Sequence, residues 1–418
     1  MTKLSNKSVI AVMGLGYVGL PLVEAFSKHF KVIGFDIDGE RVRKLTENSS
    51  NKKLVFTDRP DEMAQADFII ICVPTPLNKS KEPDLSAVQE AAGIAGRNIK
   101  KGSVVILEST VYPGVTEELL VPILEKVSGL KCSRQFKIGY SPERINAGDN
   151  EHTLDTTTKV VAGMDEETSE LMAELYGKIA SEVFIARDIK TAEAAKLVEN
   201  IQRDLNIALM NEFAIAFEKM GLNTRAVLDA AATKWNFHRY FPGLVGGNCI
   251  PIAPQYFNYK ARKLGYQPGI IPAGRAVNEY MPRHLAELTI KAMKRVGTVI
   301  RGSKILILGL TYKDNVPDVQ DGQINGTIAA LREYGVQIYG FDPLLDSTSV
   351  KIDIETIRSL DKAPRVDAII VSVAHDSFRA IKLRDLKALM NSNPVLIDVR
   401  QIFDCNEAES EGFNYQTL

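Results

Sequence analysis

Along the first third of the chain, short apolar runs alternate with amphipathic stretches. The runs SVIAVMG (8–14), KVIGFD (31–36), FIIICVP (68–74), SVVILEST (103–110), FKIGYS (136–141) and TKVVAG (158–163) each read as a buried strand. Between several of them, apolar residues recur at helical spacing, as over 84–98 and 166–180. Strands alternating with helices predict a parallel sheet covered on both faces. The texture changes at Thr191. TAEAAKLVENIQRDLNIALMNEFAIAFEKMGLN contains no proline and predicts one helix of about 30 residues, against a mean near 12. A helix of that length links domains or forms an interface between subunits. More helix is expected to about 231. The segment PGLVGGNCIPIAPQYF (242–257) follows, in which neither helix nor strand is expected, and helix resumes over 274–296. After RGSKILILGL (301–310) the first pattern returns, with strands expected in VQIYGFD (336–342), VDAIIVSV (366–373) and VLIDVR (395–400). The expected architecture is α/β. Two Rossmann-like parallel-sheet domains, at 1–190 and 301–418, are joined by a central helical region at 191–300 that carries the long helix and the cysteine segment.

Composition narrows the function classes. A chain of 418 residues is too long for one core. Net charge is −1 with no run of like charges, so neither a nucleic-acid footprint nor a polybasic membrane patch is expected. No apolar run has bilayer-spanning length, and the glycine-broken start reads as a strand entering a turn, not as a signal peptide. The cysteines, at 72, 132, 249 and 405, form no CxxC. The histidines, at 29, 152, 238, 284 and 375, are scattered. Neither a disulfide framework nor a metal site is expected, and a reducing cytosol is.

Three local patterns carry chemistry. Gly14-Leu15-Gly16-Tyr17-Val18-Gly19 lies between a strand and an amphipathic helix, and Asp36 ends the next strand. Glycines there let backbone approach a diphosphate at a helix N-terminus, and the acid accepts hydrogen bonds from a ribose diol, so NAD is favoured over NADP. Arg41 and Arg43 nearby weaken that exclusion somewhat. Cys249 sits among Gly246, Gly247 and Pro251, in a segment held irregular. The residues alone leave it open between a small buried hydrophobe and an exposed nucleophile, whereas Cys72, inside a strand, reads as a buried hydrophobe. Lys196 and Asn200, four apart on the long helix, share a face. They read either as a solvated face or as a pair of donors for a developing oxyanion.

Ordered blocks over nearly the whole chain resemble the UDP-glucose/GDP-mannose dehydrogenase family. They are VMGLGYVGLPL (12–22), CVPTPLN (72–78), ESTVYPGVTEE (108–118), GYSPERINAGD (139–149), AAKLVENIQRDLNIALMNE (194–212), PGLVGGNCIP (242–251) and GLTYKDNVPDV (309–319). The KWNF…PGLVGG block is most similar to the branch acting on UDP-N-acetylhexosamines. The resemblance implies four-electron oxidation of a sugar C6 alcohol to the acid, with two NAD used in turn. Cys249 matches the nucleophile that forms a thiohemiacetal and then a thioester. Lys196 and Asn200 match the oxyanion donors, and Glu143 and Thr110 match positions near the attacking water. Cofactor contacts are implied at Gly14, Gly16, Tyr17, Val18, Gly19, Asp36, Pro74, Thr75 and Thr110. Substrate contacts are implied at Glu143, Arg144, Lys196, Asn200, Gly246, Gly247 and Lys313. A cytoplasmic homodimer or higher homo-oligomer serving polysaccharide biosynthesis is implied as well. The chain departs from the family pattern at Asn248, at Ala253, where an acid is usual, and at Gln320, where an arginine is usual. A catalytically impaired UDP-sugar-binding or regulatory protein therefore stands beside the dehydrogenase. So does an enzyme that stops at the aldehyde.

Overall fold

The structure is a computed structural model describing residues 3–144, 152–247, 250–319, 322–345 and 352–418. It divides into two compact units. The first comprises the chain up to Asn200 together with Gln255–Gln267, and the second comprises Ile201–Pro254 and Pro268–Leu418.

The first unit is built on strands β1 (Val9–Met13), β2 (Lys31–Phe35), β3 (Leu54–Thr57), β4 (Phe68–Ile71), β5 (Val104–Leu107), β6 (Lys137–Tyr140), β7 (Lys159–Gly163) and β8 (Val183–Ile185). They form one sheet in the order β3-β2-β1-β4-β5-β6-β7-β8. All neighbours are parallel except β6 and β7, which pair antiparallel through Gly139↔Gly163 and Tyr140↔Ala162. The central strands are near-continuous apolar runs, because helices cover both faces. Two core clusters lie on opposite faces: Ala11, Met13, Ile69 and Ile71 point to one, and Ile10, Val12, Phe68 and Ile70 to the other. The strand order reverses between β1 and β4. In an open α/β sheet, that crevice is where ligands bind.

The second unit holds β9 (Lys304–Leu308), β10 (Gln337–Phe341), β11 (Glu355–Thr356), β12 (Val366–Val371), β13 (Met390–Asp398) and β14 (Asn414–Thr417), ordered β11-β10-β9-β12-β13-β14 and parallel throughout. Both units thus carry the predicted Rossmann-like sheet.

The long helix spans Ile189–Met220, 32 residues, and Thr224–Ala231 and Ile270–Arg295 are also helical. One expectation is corrected. The segment 242–257 is not irregular throughout, because a helix runs from Ile252 to Lys263. Its Pro254 falls in the first turn, where a backbone N–H has no intrahelical partner to lose, so the proline is compatible with a helix start. Among the described residues no helix is long and apolar enough to cross a membrane.

Candidate active site

The residues predicted to hold a dinucleotide gather at one edge of the first sheet. Gly14 follows β1, Asp36 follows β2, Pro74 and Thr75 follow β4, and Thr110 follows β5, all at the carboxyl ends of parallel strands. Gly14 has φ +93°, and a Cβ there would lie 2.7 Å from the Cys72 carbonyl oxygen, so no other residue fits. Gly19 is equally constrained, since a Cβ would fall 1.8 Å from the Gly14 oxygen. Gly16 differs: a Cβ would meet nothing within 4 Å among the described residues. Packing within the chain explains the first two glycines and leaves the third facing open space. The helix Gly19–Ser27 begins there with no capping side chain and no acid in its first turn. Its N–H groups suit an anion. Asp36 is buried and accepts from the Leu15 N–H (2.8 Å), the Asp38 N–H (2.9 Å) and Arg41 Nη1 (3.2 Å). Arg41 is thus engaged with the acid. These residues fit NAD: an open glycine and an uncapped helix for the diphosphate, and a fixed carboxylate at the ribose position.

Lys196 and Asn200 lie on one face of the long helix and are each 7% exposed, so the solvated-face reading fails. Lys196 Nζ donates to the Glu143 carbonyl oxygen. Asn200 Nδ2 is a buried donor with no acceptor among the described residues. Arg144 is held between Thr158 O (2.8 Å) and Glu199 Oε1 (2.6 Å). Beneath this loop sits a wholly buried ion pair, Lys159 Nζ to Glu108 Oε2 at 2.6 Å. Lys159 also donates to the Pro142 oxygen (3.0 Å), and Tyr176 OH to Glu108 Oε1 (2.6 Å). Two lysines therefore grip consecutive carbonyls, 142 and 143.

One turn before Lys196, the Glu193 carboxylate accepts from the Gly114 and Thr116 N–H groups and the Thr116 hydroxyl. Burial nevertheless pushes its pKa from 4.5 to about 7, against the pull of those hydrogen bonds. Between these values the unfolded chain gives up this proton while the folded protein keeps it. Stability from this group is therefore complete below the unfolded pKa and is lost as pH rises through about 7. Urea unfolding of wild type and Glu193→Gln at pH 5 and 7.5 is expected to show the wild type losing up to about 3 kcal/mol relative to the variant. A difference independent of pH refutes this.

In the second unit, Gly247 has φ +85°, and a Cβ there would come within 2.9 Å of the Tyr312 ring, next to Lys313. This close approach brings two predicted substrate segments, Gly246–Gly247 and Lys313, together. The cysteine segment is held at its start. Asn211, on the long helix, accepts from the Gly243 N–H (2.8 Å) and donates to the Gly243 oxygen (3.1 Å), and Val245 N–H donates to Gln323 Oε1 (3.0 Å). Asn211 also donates to Asn278 (2.8 Å). Asn278 in turn donates to Asp204 (2.8 Å), which is ion-paired with the buried Arg275 (2.5 Å). Cys249, Asn248 and Gln320 lie outside the described residues. Ala253 is fully buried in the first turn of the helix Ile252–Lys263. Burial raises the Cys72 thiol well above its ordinary pKa, as suits an inert core cysteine.

The chain matches the UDP-glucose/GDP-mannose dehydrogenase family over almost its full length: the NAD binding domain at 8–51 and 44–180, the central domain at 190–280 and the UDP binding domain at 306–405. The chain belongs to that family. Protein CapL of Staphylococcus aureus is 42% identical over 414 residues, covering 95% of this chain and 97% of CapL. A UDP-N-acetyl-D-glucosamine 6-dehydrogenase of Salmonella typhi is 41% identical, covering 96% of this chain and 97% of its own. The solved UDP-D-ManNAc dehydrogenase of Pyrococcus horikoshii superposes with a TM-score of 0.87 at 29% identity, covering 98% of both chains. As a family member, this protein is an NAD-dependent nucleotide-sugar dehydrogenase. Sequence reasoning singled out the glycine turn, Asp36, Lys196 and Asn200. It did not single out Glu193, Asn211 or the Glu108–Lys159 pair. The available signal was polar residues at helical or strand positions that packing would bury.

Proposed function

We propose that the protein oxidises the C6 alcohol of a UDP-N-acetylhexosamine to the uronate through a covalent thioester on Cys249. The observation that carries this reading is the buried pair Lys196 and Asn200 on one helix face, a cation and an amide donor with no acceptor among the described residues. Such a pair suits negative charge developing on a former carbonyl oxygen. NAD, held at the glycine turn and Asp36, would supply the hydride acceptor for each of the two oxidations, one molecule per step. The Cys249 thiolate adds to the first product, an aldehyde, giving a thiohemiacetal whose oxyanion Lys196 and Asn200 hold. Loss of a second hydride leaves a thioester, and a water placed by Glu143 and Thr110 releases the acid. Covalent capture keeps the aldehyde from escaping. Lys313 and Gly246–Gly247 contact the sugar nucleotide, and the region 301–418 carries the UDP side. The N-acetylhexosamine preference is supported by the names of relatives that match over nearly the full chain. Homo-oligomerisation is supported by apolar residues that the long helix leaves exposed, among them Val198, Leu209 and Met220. The free thiols of Cys72, Cys132 and Cys405 suit a cytoplasmic home.

A panel of UDP-hexoses and UDP-N-acetylhexosamines with NAD tests the reading. Two NADH per sugar and a uronate product are expected with a UDP-N-acetylhexosamine. Binding without turnover on every member refutes it, and one NADH with free aldehyde refutes the thioester route. Lys196→Ala is expected to lower kcat about 10²–10³-fold while NAD affinity stays unchanged. An equal loss of NAD binding in titration calorimetry would show a structural role instead.

A further inference from the structure

The two sheets repeat one device. After β1, the Leu15 N–H donates to Asp36 at the end of β2. After β9, the Leu310 N–H donates to Asp342 at the end of β10, at 2.7 Å. What meets the acid next differs. Asp36 faces Arg41, whose side chain is half exposed. Asp342 faces His375, which is 1% exposed, with Nε2 at 3.2 Å from Asp342 Oδ2 and 3.3 Å from Thr311 Oγ1. The other ring nitrogen, Nδ1, lies 2.8 Å from the backbone N–H of Asn315. A backbone N–H can only donate, so Nδ1 carries no proton and Nε2–H points to the acid.

The Nδ1 bond ends on the segment that carries Lys313, and Thr311 of the same segment lies beside Nε2. The Thr311 hydroxyl donates to the Lys313 oxygen (3.0 Å). Asn315 is held at φ +58°, an uncommon conformation outside glycine, with its side chain accepting from the Asp376 N–H (3.0 Å). Asp314 accepts from the Ala374 N–H and from Arg400 Nη2, both at 2.8 Å. The residues flanking Lys313 are thus tied to the 374–376 turn after β12, with the His375 ring at the centre.

We propose that His375 is a positioning residue for substrate binding: as a neutral Nε2–H imidazole strapped to the Asn315 amide, it fixes the segment that aims Lys313 at the diphosphate of a UDP-sugar. This rests on the reading of Lys313 as a substrate contact. The strap is built into the folded unit before any ligand arrives, so its effect falls on ground-state affinity for the nucleotide and not on the chemical step.

Three variants separate this role from mere packing. Asparagine places its Oδ1 where Nδ1 stands and can still accept from the Asn315 amide. Glutamine places its amide nitrogen where Nε2 stands and keeps only the bond to Asp342. In titration calorimetry with UDP as the probe, His375→Ala and His375→Gln are expected to weaken binding about tenfold, and His375→Asn about twofold or less, with NAD affinity unchanged in all three. kcat at saturating UDP-sugar is expected to stay within about threefold. The effect of His375→Ala is expected to vanish in a Lys313→Ala background, because the histidine acts through the lysine. Equal affinities for the asparagine and glutamine variants, or additive effects with Lys313→Ala, overturn the proposal. Lys313→Ala with unchanged UDP affinity refutes the substrate-contact reading alone. The strap is then decided by amide exchange over 311–319, which the alanine and glutamine variants are expected to speed and the asparagine variant to leave unchanged. Unaltered exchange in all three overturns it. If the alanine variant does not fold, the asparagine–glutamine comparison still decides.

Discussion

With Cys249 replaced by alanine, uronate formation is expected to fall by roughly 10⁴-fold or more, the scale on which loss of a nucleophile is felt. The chain around it argues for a change confined to chemistry. Asn211 fixes Gly243 through both backbone groups, Gln323 holds the Val245 amide, and Gly247 lies against Tyr312. None of these contacts uses the cysteine side chain, so folding and UDP affinity are expected to survive the substitution. Removing the thiol leaves no sulfur on which to build the thioester, so at most one NADH per sugar forms and the aldehyde can be trapped as its oxime. Product analysis by mass spectrometry, beside calorimetric UDP binding, checks both halves. Uronate formed within tenfold of the wild-type rate would remove the covalent route.

The second large effect is on stability. Lys159→Met is expected to destabilise the first unit by about 3–5 kcal/mol, because it strips the partner from a carboxylate with no access to water. Glu108 is fully buried, and burial already pushes its pKa up while Lys159 opposes that rise. Without the lysine the carboxyl must either stay charged in a low-dielectric site or take up a proton. Adding Glu108→Gln is expected to recover most of the loss, since the amide keeps a partner in Tyr176 OH and carries no charge. Urea unfolding of the single and double variants provides the measurement. A single variant within 1 kcal/mol of wild type would show that the site relaxes or hydrates, contrary to its packing.

Much of the fold was readable from apolar runs, and the unread part has a pattern. The four strands that hydrophobic periodicity does not predict are β3, β8, β11 and β14, the four edges of the two sheets. An edge strand has one open side and need not be apolar. In β8, Phe184 and Ile185 are 60% and 45% exposed, and β14 reads NYQT. The helix Ile252–Lys263 escaped because Pro251 and Pro254 look like breakers until one sees that they sit at its start. For the site, residues local in sequence were legible: the glycine turn with Asp36, and Lys196 with Asn200. Residues whose partners are remote in the chain were not. Glu193 meets Gly114 and Thr116 nearly eighty positions away, and Asn211 meets Gly243 and Asn278. No periodicity encodes such pairings.

The direction of β7 has a consequence for what this sheet can tolerate. Because β7 runs against β6, its first residue, Lys159, stands at the same end as the last residues of β5 and β6. Turned parallel, the strand would carry that ammonium to the opposite rim, roughly 13 Å off at about 3.3 Å per residue, and Glu108 would be stranded. Strand polarity and the identity of residue 108 are therefore a single inherited choice. A descendant that reversed the strand would have to neutralise the acid in the same step.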